Sequence, residues 1–309
     1  MARGVSLLYV MSSAGPAGAG VPAEGPVQEA VMSESVLKSL SGPVVLLGCG
    51  KMGSAMLEGW LKLGLPADKA AVLDPNLTAE SASALAAKGV LVNPAHAVIA
   101  APSVLLLAVK PQVAPEALPA VAALVKPGTL VVSVMAGRTM AFMGNIFGAD
   151  AAIVRSIPNT PAAIGRGVSV AVPSPGVTQA QKDITAALLG AIGIVEWVDD
   201  EALMDAATAV SGSGPAYAFL LAEVMAQAGA AAGLPADLSA RIARATVAGA
   251  GALMDQSDLS AATLRQNVTS PGGTTAAALA VLMDEGRGFP PLMVEAVAAA
   301  TRRGKELAG

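Results

Sequence analysis

The sequence predicts an α/β chain: an N-terminal Rossmann-type, doubly wound and mainly parallel sheet over residues 42–198, then an all-helical domain over 199–309. Three observations predict it. An apolar strand, Val44-Val45-Leu46-Leu47, runs directly into Gly48-Cys49-Gly50-Lys51-Met52-Gly53, a G-x-G-x-x-G turn. Strand-like and helix-like segments then alternate with short turns, which places parallel strands in one sheet with helices on both faces. From Asp199 onward the strand signal stops and alanine-rich helical segments follow.

The glycine turn carries the most chemistry. Gly48 permits the sharp turn off the strand, Gly50 lets backbone N–H groups approach a pyrophosphate, and Gly53 allows the next helix to pack closely. That helix, over Ser54–Leu63 with its start near Met52, directs its partly positive N-terminus at the phosphates. A second strand, Ala70–Leu73, ends in Asp74, about 20 residues beyond Gly53, where an acid holds a ribose 2′-hydroxyl.

The later elements follow by pattern. A helix over Thr78–Lys88 leads to a strand at Val90–Val92. A buried strand at Val104–Val109, a helix at Ala114–Leu124 and a strand at Thr129–Val134 come next. A helix at Thr139–Phe147, strands at Ala152–Ser156 and Ser169–Val172, a helix at Thr178–Leu189 and a strand at Gly193–Trp197 complete the half. Beyond them helices are expected at Glu201–Ala209, Pro215–Ala232, Leu238–Met254, Ser260–Val268, Thr274–Met283 and Pro291–Leu307. So much apolar helix in a small domain needs a partner to cover it, so a homodimer is expected.

Composition excludes several classes. Hydrophobic residues make up 54% of the chain, and mean hydropathy is +0.61, yet no run supports a membrane span. The most apolar run, Ala97–Val109, falls short of the ~20 residues needed, and Ser211–Pro215 interrupts the longest charge-free stretches. Net charge of −4 with no basic patch argues against nucleic acid. One histidine and one cysteine leave no zinc site, and the single Cys49 fits a reducing cytoplasm. Residues 1–41 read as a disordered tail; Ser12–Gly25 is rich in Gly, Ala and Pro, and Met32 offers an alternative start.

Five further segments stand in a specific order. They are Ala108-Val109-Lys110-Pro111; Ser133-Val134-Met135-Ala136-Gly137; Arg155-Ser156-Ile157-Pro158-Asn159-Thr160-Pro161-Ala162; Val210-Ser211-Gly212-Ser213-Gly214-Pro215-Ala216-Tyr217; and Asn267-Val268-Thr269-Ser270-Pro271-Gly272-Gly273-Thr274-Thr275. Together with the glycine turn they resemble the pyrroline-5-carboxylate reductases, from about residue 43 to the C-terminus. The resemblance implies NAD(P)H-dependent reduction of a cyclic imine to L-proline by a homodimer or larger ring. It implies that NADP or NAD contacts Leu47, Gly48, Cys49, Gly50, Lys51, Met52 and Gly53, then Asp74, with His96 near the adenosine. Ala108, Val109, Lys110, Pro111, Val134, Met135 and Ala136 then form the nicotinamide side. Ser270, Gly272, Gly273, Thr274 and Thr275 would hold the substrate carboxylate, with Thr275 on the ring nitrogen as the catalytic contact. Asp258 stands where the family often has glutamate near the ring, with a shorter reach, and Ser213 lies in the bend at the helical entry.

The residues permit this chemistry independently. Ser270–Thr275 precedes a helix, so glycine-exposed N–H groups and two hydroxyls make a carboxylate receptor without a basic side chain. A cyclic imine protonated on nitrogen accepts hydride at carbon without a covalent intermediate or strong general acid, so the protein chiefly positions two ligands. Two alternatives stand beside it. A related reductase would use a lysine on the first long helix of the second domain, but Glu201–Ala232 contains none. A nucleotide-sensing protein without turnover would not need the intact Ser270–Thr275 string. Asp74 with no Arg or Lys in Pro75–Thr78 favours NADH by charge, although the family commonly uses NADPH.

Overall fold

The computed structural model describes residues 34–99 and 101–308. The Ser12–Gly25 stretch and the Met32 start lie outside the described residues. The expected tail ends sooner than residue 41: residues 34–38 are helical, and Leu37 and Leu40 are buried beside Trp60 and Leu65. Apolar residues at this spacing cover the end of the first helix, so the folded part starts before Gly42.

Among the described residues, eight strands form one sheet in the order β3-β2-β1-β4-β5-β6-β7-β8. They are β1 Val44–Leu47, β2 Ala70–Leu73, β3 Leu91–Val92, β4 Val104–Leu107, β5 Leu130–Ser133, β6 Ala152–Pro158, β7 Gly167–Pro173 and β8 Gly193–Trp197. β1 sits between β2 and β4 in register, with Val44 opposite both Ala70 and Val104. The connection from β1 outward reverses here, which makes the carboxyl end of β1 the switch point where such sheets bind ligands. All pairings are parallel except β6 with β7, where Ile157 faces Val170 in an antiparallel ladder. The connection between those strands holds only a short 3₁₀ turn, Thr160–Ile164, too little chain for a parallel crossover.

Period-two alternation splits the central strands between two cores. Leu46, Val72, Leu106, Val132 and Val154 face Met56 and Trp60 of helix α1 (Lys51–Lys62) and Leu188 and Leu189 of helix α5 (Gln179–Gly190). Val45, Leu47, Leu105, Leu107 and Val131 face the other way, onto Leu118 of α3 (Ala114–Val121) and Met143 of α4 (Met140–Phe147). Helix α2 (Ala79–Ala87) connects β2 to β3. Burial on both faces explains strands that read as continuous Val and Leu.

The helical half begins with a 3₁₀ turn, Glu201–Leu203, a short α6 (Met204–Ala207) and a π-helical turn, Thr208–Gly212. The expected single helix over Glu201–Ala209 is therefore broken into three turns. Then come α7 (Gly214–Ala231), α8 (Ala236–Asp255), α9 (Ala261–Asn267), α10 (Thr274–Leu282) and α11 (Phe289–Ala308). Small residues bring α7 and α8 together: a Cβ on Gly229 would lie 2.2 Å from Ser239 Oγ, which itself donates to Ala226 O at 2.7 Å. No residue of α7 or α10 is buried within one chain, and Phe219, Leu220, Val281 and Val294 are exposed. Among the described residues no helix is long and apolar enough to cross a membrane.

Candidate active site

The turn after β1 is shaped by its neighbours. Gly48 has φ +90°, and a Cβ there would meet Ala108 C and O and Val109 Cγ1 at 2.9 Å, so only glycine fits. A Cβ on Gly53 would lie 2.2 Å from Gly48 O, which shows how closely α1 rests on the turn. At Gly50 a Cβ would have nothing within 4 Å. Gly50 is the N-cap of α1, without a side-chain cap and with no acid in the first turn. The N–H groups of Gly50, Lys51 and Met52 find no acceptor among the described residues. Open space, free donors and a helix dipole suit a pyrophosphate, so these residues fit a dinucleotide.

Asp74 is tied to the same turn. Its Oδ2 accepts from the Cys49 N–H at 2.8 Å and its Oδ1 from the Asn76 N–H at 2.9 Å. Burial, then the negative charges of Asp74 and Glu58, push the Cys49 thiol above its ordinary value, so it stays neutral. Half-buried and uncharged, Cys49 occupies the turn as a small side chain.

Across the carboxyl edge, β4 and β5 deliver the next two segments. Ala108 N donates to Leu47 O at 2.8 Å and Val134 N to Leu107 O at 3.0 Å, so the loops leave the sheet side by side. Lys110 and Ala136 are exposed there, while Met135 is buried beneath them. Arg138, not singled out from the sequence, staples the two loops. Its Nε and guanidinium donate to Pro111 O at 2.9 and 2.6 Å, and it stacks over Phe142. Its acceptor is a backbone carbonyl brought close only by folding, so no sequence pattern marks it. His96 lies in a 3₁₀ turn after β3 and lines a cavity with Pro102, Leu124 and Lys126, residues that precede β4 and β5. No hydrogen bond joins it to the glycine turn among the described residues.

The helical domain is held to this edge by polar contacts. Buried Asn159, after β6, donates from Nδ2 to Ser211 O at 3.0 Å and accepts from Val168 N at 2.9 Å. It therefore grips the π turn that leads to Ser213, while Tyr217 Oη donates to Ala209 O on the same turn. Arg155, 3% exposed on β6, pairs with Glu201 at 2.8 Å, and that carboxylate also accepts from Met140 N. The tip of α11 returns to the edge, with Leu307 beside Gly137.

The Ser270–Thr275 turn is the second helix N-terminus. Gly272 is left-handed at φ +71°, Gly273 N donates to Ser270 O, and Gly273 caps α10 without a side-chain bond. The N–H groups of Thr274 and Thr275 find no acceptor among the described residues. Ser270, Gly272, Thr274 and Asp258 are exposed. Within one chain the structure brings together the glycine turn, Asp74 and the β4 and β5 loops. Among the described residues no hydrogen bond joins Ser270–Thr275 to them.

Comparisons with known proteins match both halves of the chain. Residues 201–307 match a family model described as pyrroline-5-carboxylate reductase dimerisation, and residues 43–137 one described as NADP oxidoreductase, coenzyme F420-dependent. A pyrroline-5-carboxylate reductase of Pseudomonas aeruginosa is 38% identical over 268 residues, covering 86% of this chain and 96% of that protein. One from Glycine max is 37% identical, covering 84% and 94%. The solved reductase of Coxiella burnetii superposes with a TM-score of 0.80 at 29% identity, covering 87% of this chain and 99% of that one. The Plasmodium falciparum enzyme, solved with NADP bound, gives 0.71 at 26% identity.

Proposed function

The chain belongs to the pyrroline-5-carboxylate reductase family, and from that premise we propose how its residues serve the reaction. It is an NAD(P)-dependent oxidoreductase that reduces 1-pyrroline-5-carboxylate to L-proline, the final step of proline biosynthesis. The observation that carries the assignment is a pair of glycine-capped helix N-termini, at Gly50 and Gly273, neither closed by its own side chain. Two anion receptors suit two anionic ligands, a dinucleotide and a carboxylate.

The N–H groups of Gly50, Lys51 and Met52 hold the pyrophosphate, with Leu47, Gly48, Cys49 and Gly53 shaping the turn. Asp74 faces the adenine ribose, whereas the cavity that His96 lines lies at the amino ends of β4 and β5, the opposite edge of the sheet. Ala108 to Pro111 and Val134 to Ala136 wall the nicotinamide side, with Arg138 fixing the two loops relative to each other. A bound dihydronicotinamide supplies the hydride. The N–H groups of Thr274 and Thr275, with the Ser270 hydroxyl and Gly272–Gly273 backbone, hold the substrate carboxylate. The Thr275 hydroxyl accepts from the protonated imine nitrogen and so aligns the ring. Asp258 and Ser213 border the ring. Because the nitrogen already carries its proton, no residue has to deliver one during the reduction.

Two protomers complete each site. The exposed faces of α7 and α10 and the separation of the Ser270–Thr275 turn from the glycine turn support a homodimer, or a ring of dimers, with the turn of one protomer facing the nucleotide of the other. A cytoplasmic location is proposed from the single, unpaired Cys49. Purified protein is expected to oxidise NADH and NADPH when given pyrroline-5-carboxylate and to form L-proline, with a narrower NADPH preference than its relatives. Nucleotide binding without turnover on either cofactor would instead favour a sensing role.

A further inference from the structure

Asp74 is held from the neighbouring strand by a residue that the reaction itself does not use. Asp74 N donates to Asn93 Oδ1 at 2.8 Å, and Asn93 Nδ2 donates back to Asp74 O at 2.9 Å. Asn93 N donates to Val72 O at 2.8 Å, so its backbone is anchored to β2 two residues before the one its side chain grips. Asn93 is the one non-glycine residue with positive φ, +45°, among the described residues. That conformation is uncommon outside glycine and is tolerated best by Asn and Asp. Here it turns the side chain back onto both main-chain groups of Asp74 instead of letting β3 run on. With the Cys49 and Asn76 N–H groups on the two carboxylate oxygens, four hydrogen bonds fix one aspartate. No lysine or arginine forms an ion pair with it among the described residues.

We infer that Asn93 is the positioning residue for dinucleotide selection: it locks the Asp74 carboxylate where the 2′ group of the adenine ribose arrives. This rests on the reading above that the glycine turn binds a dinucleotide with Asp74 toward that ribose. A locked carboxylate accepts from a 2′-hydroxyl through the lone pairs that Cys49 and Asn76 leave free. The same carboxylate cannot swing into solvent to escape a 2′-phosphate. Selectivity against the phosphate therefore depends on the lock as well as on the charge.

The test is a double-mutant cycle read by dissociation constants of NADH and NADPH on the purified protein, without substrate. Asn93→Gly keeps the left-handed backbone accessible and removes both side-chain bonds; Asn93→Ala is a second clamp-free variant. Each is expected to shift the NADPH-to-NADH affinity ratio toward NADPH by about fivefold. In an Asp74→Ala background neither is expected to change the ratio. In turnover the KM values should follow the same ratio while kcat stays alike for the two cofactors. An unchanged ratio, an equal loss of both nucleotides, or the same shift in the Asp74→Ala background would overturn the inference. Because binding is read alone, a parent protein that makes no proline still yields a clear answer, whereas a parent that binds neither nucleotide overturns both readings.

Discussion

At the scale of single residues, two glycines of one motif do opposite work, and substitution separates them. A methyl at Gly53 would sit 2.2 Å from a backbone oxygen, so Gly53→Ala must push α1 off the turn. Overpacking of this kind costs about 1–3 kcal/mol or more, so a melting temperature lower by several degrees and loss of NADH binding are expected together. Gly50→Ala meets open space and a φ of −71° that any residue adopts. Its melting curve should stay within about 1 °C of the parent's, while NADH affinity falls about tenfold because the methyl occupies the phosphate approach. Calorimetry and nucleotide titration on the same samples check both. At the other helix N-terminus, Thr275→Ala is expected to lower kcat by roughly 10- to 100-fold with nucleotide affinity unchanged, as loss of one aligned hydrogen bond predicts. Thr275→Ser keeps the hydroxyl and should recover most of the rate in steady-state assays.

At the scale of elements, the π turn Thr208–Gly212 lies in the helical domain against the sheet edge and is held from outside. A π turn leaves backbone poorly matched to an α ladder, and here Ser213 N bonds back to Thr208 O while Asn159 takes the Ser211 carbonyl. Asn159→Ala would leave both Ser211 O and Val168 N without partners in a half-buried place, a cost of about 1 kcal/mol for each group. Lower thermal stability and a higher KM for the imine than for the nucleotide are expected, since the turn leads to Ser213. Asn159→Asp should be worse than alanine, because a carboxylate would face the Ser211 carbonyl. The Arg155–Glu201 pair bridges the same junction, with Met140 N sharing the carboxylate. Its burial explains why a sheet strand carries an arginine at 3% exposure: the charge is held by a residue of the next domain.

At the scale of the whole molecule, no hydrogen bond joins the glycine turn to the Ser270–Thr275 turn of the same chain among the described residues. Exposed Phe219, Leu220, Val281 and Val294 on α7, α10 and α11 are surfaces a second copy would cover. Subunit exchange between two inactive variants tests the composite site. Ser270→Ala with Thr275→Ala should spoil only the carboxylate receptor, and Gly50→Asp only the nucleotide turn. Mixed dimers should regain a fraction of the parent activity, up to about half from one intact site per dimer. No recovery, with exchange proven by mass spectrometry, would place each site within one chain.

The sequence by itself determined the elements and the turn chemistry. Period-two and continuous apolar runs located the eight strands of the described residues, with ends exact or off by at most two residues, and the glycine turn was legible because Gly48 and Gly53 answer local steric demands. The antiparallel β6–β7 pair was decided by the structure, where both strands extend beyond their expected ends and leave too short a link for a crossover. What only the tertiary structure decided are contacts between residues far apart in the chain whose partners are backbone atoms. Arg138 on Pro111 O, Asn159 on Ser211 O and Asn93 on the main chain of Asp74 carry no side-chain pattern that a sequence could display. The break of the helix at Glu201–Gly212 is of the same kind. Local propensity there favours a continuous helix, and the interdomain hydrogen bonds that oppose it exist only once the sheet edge is assembled.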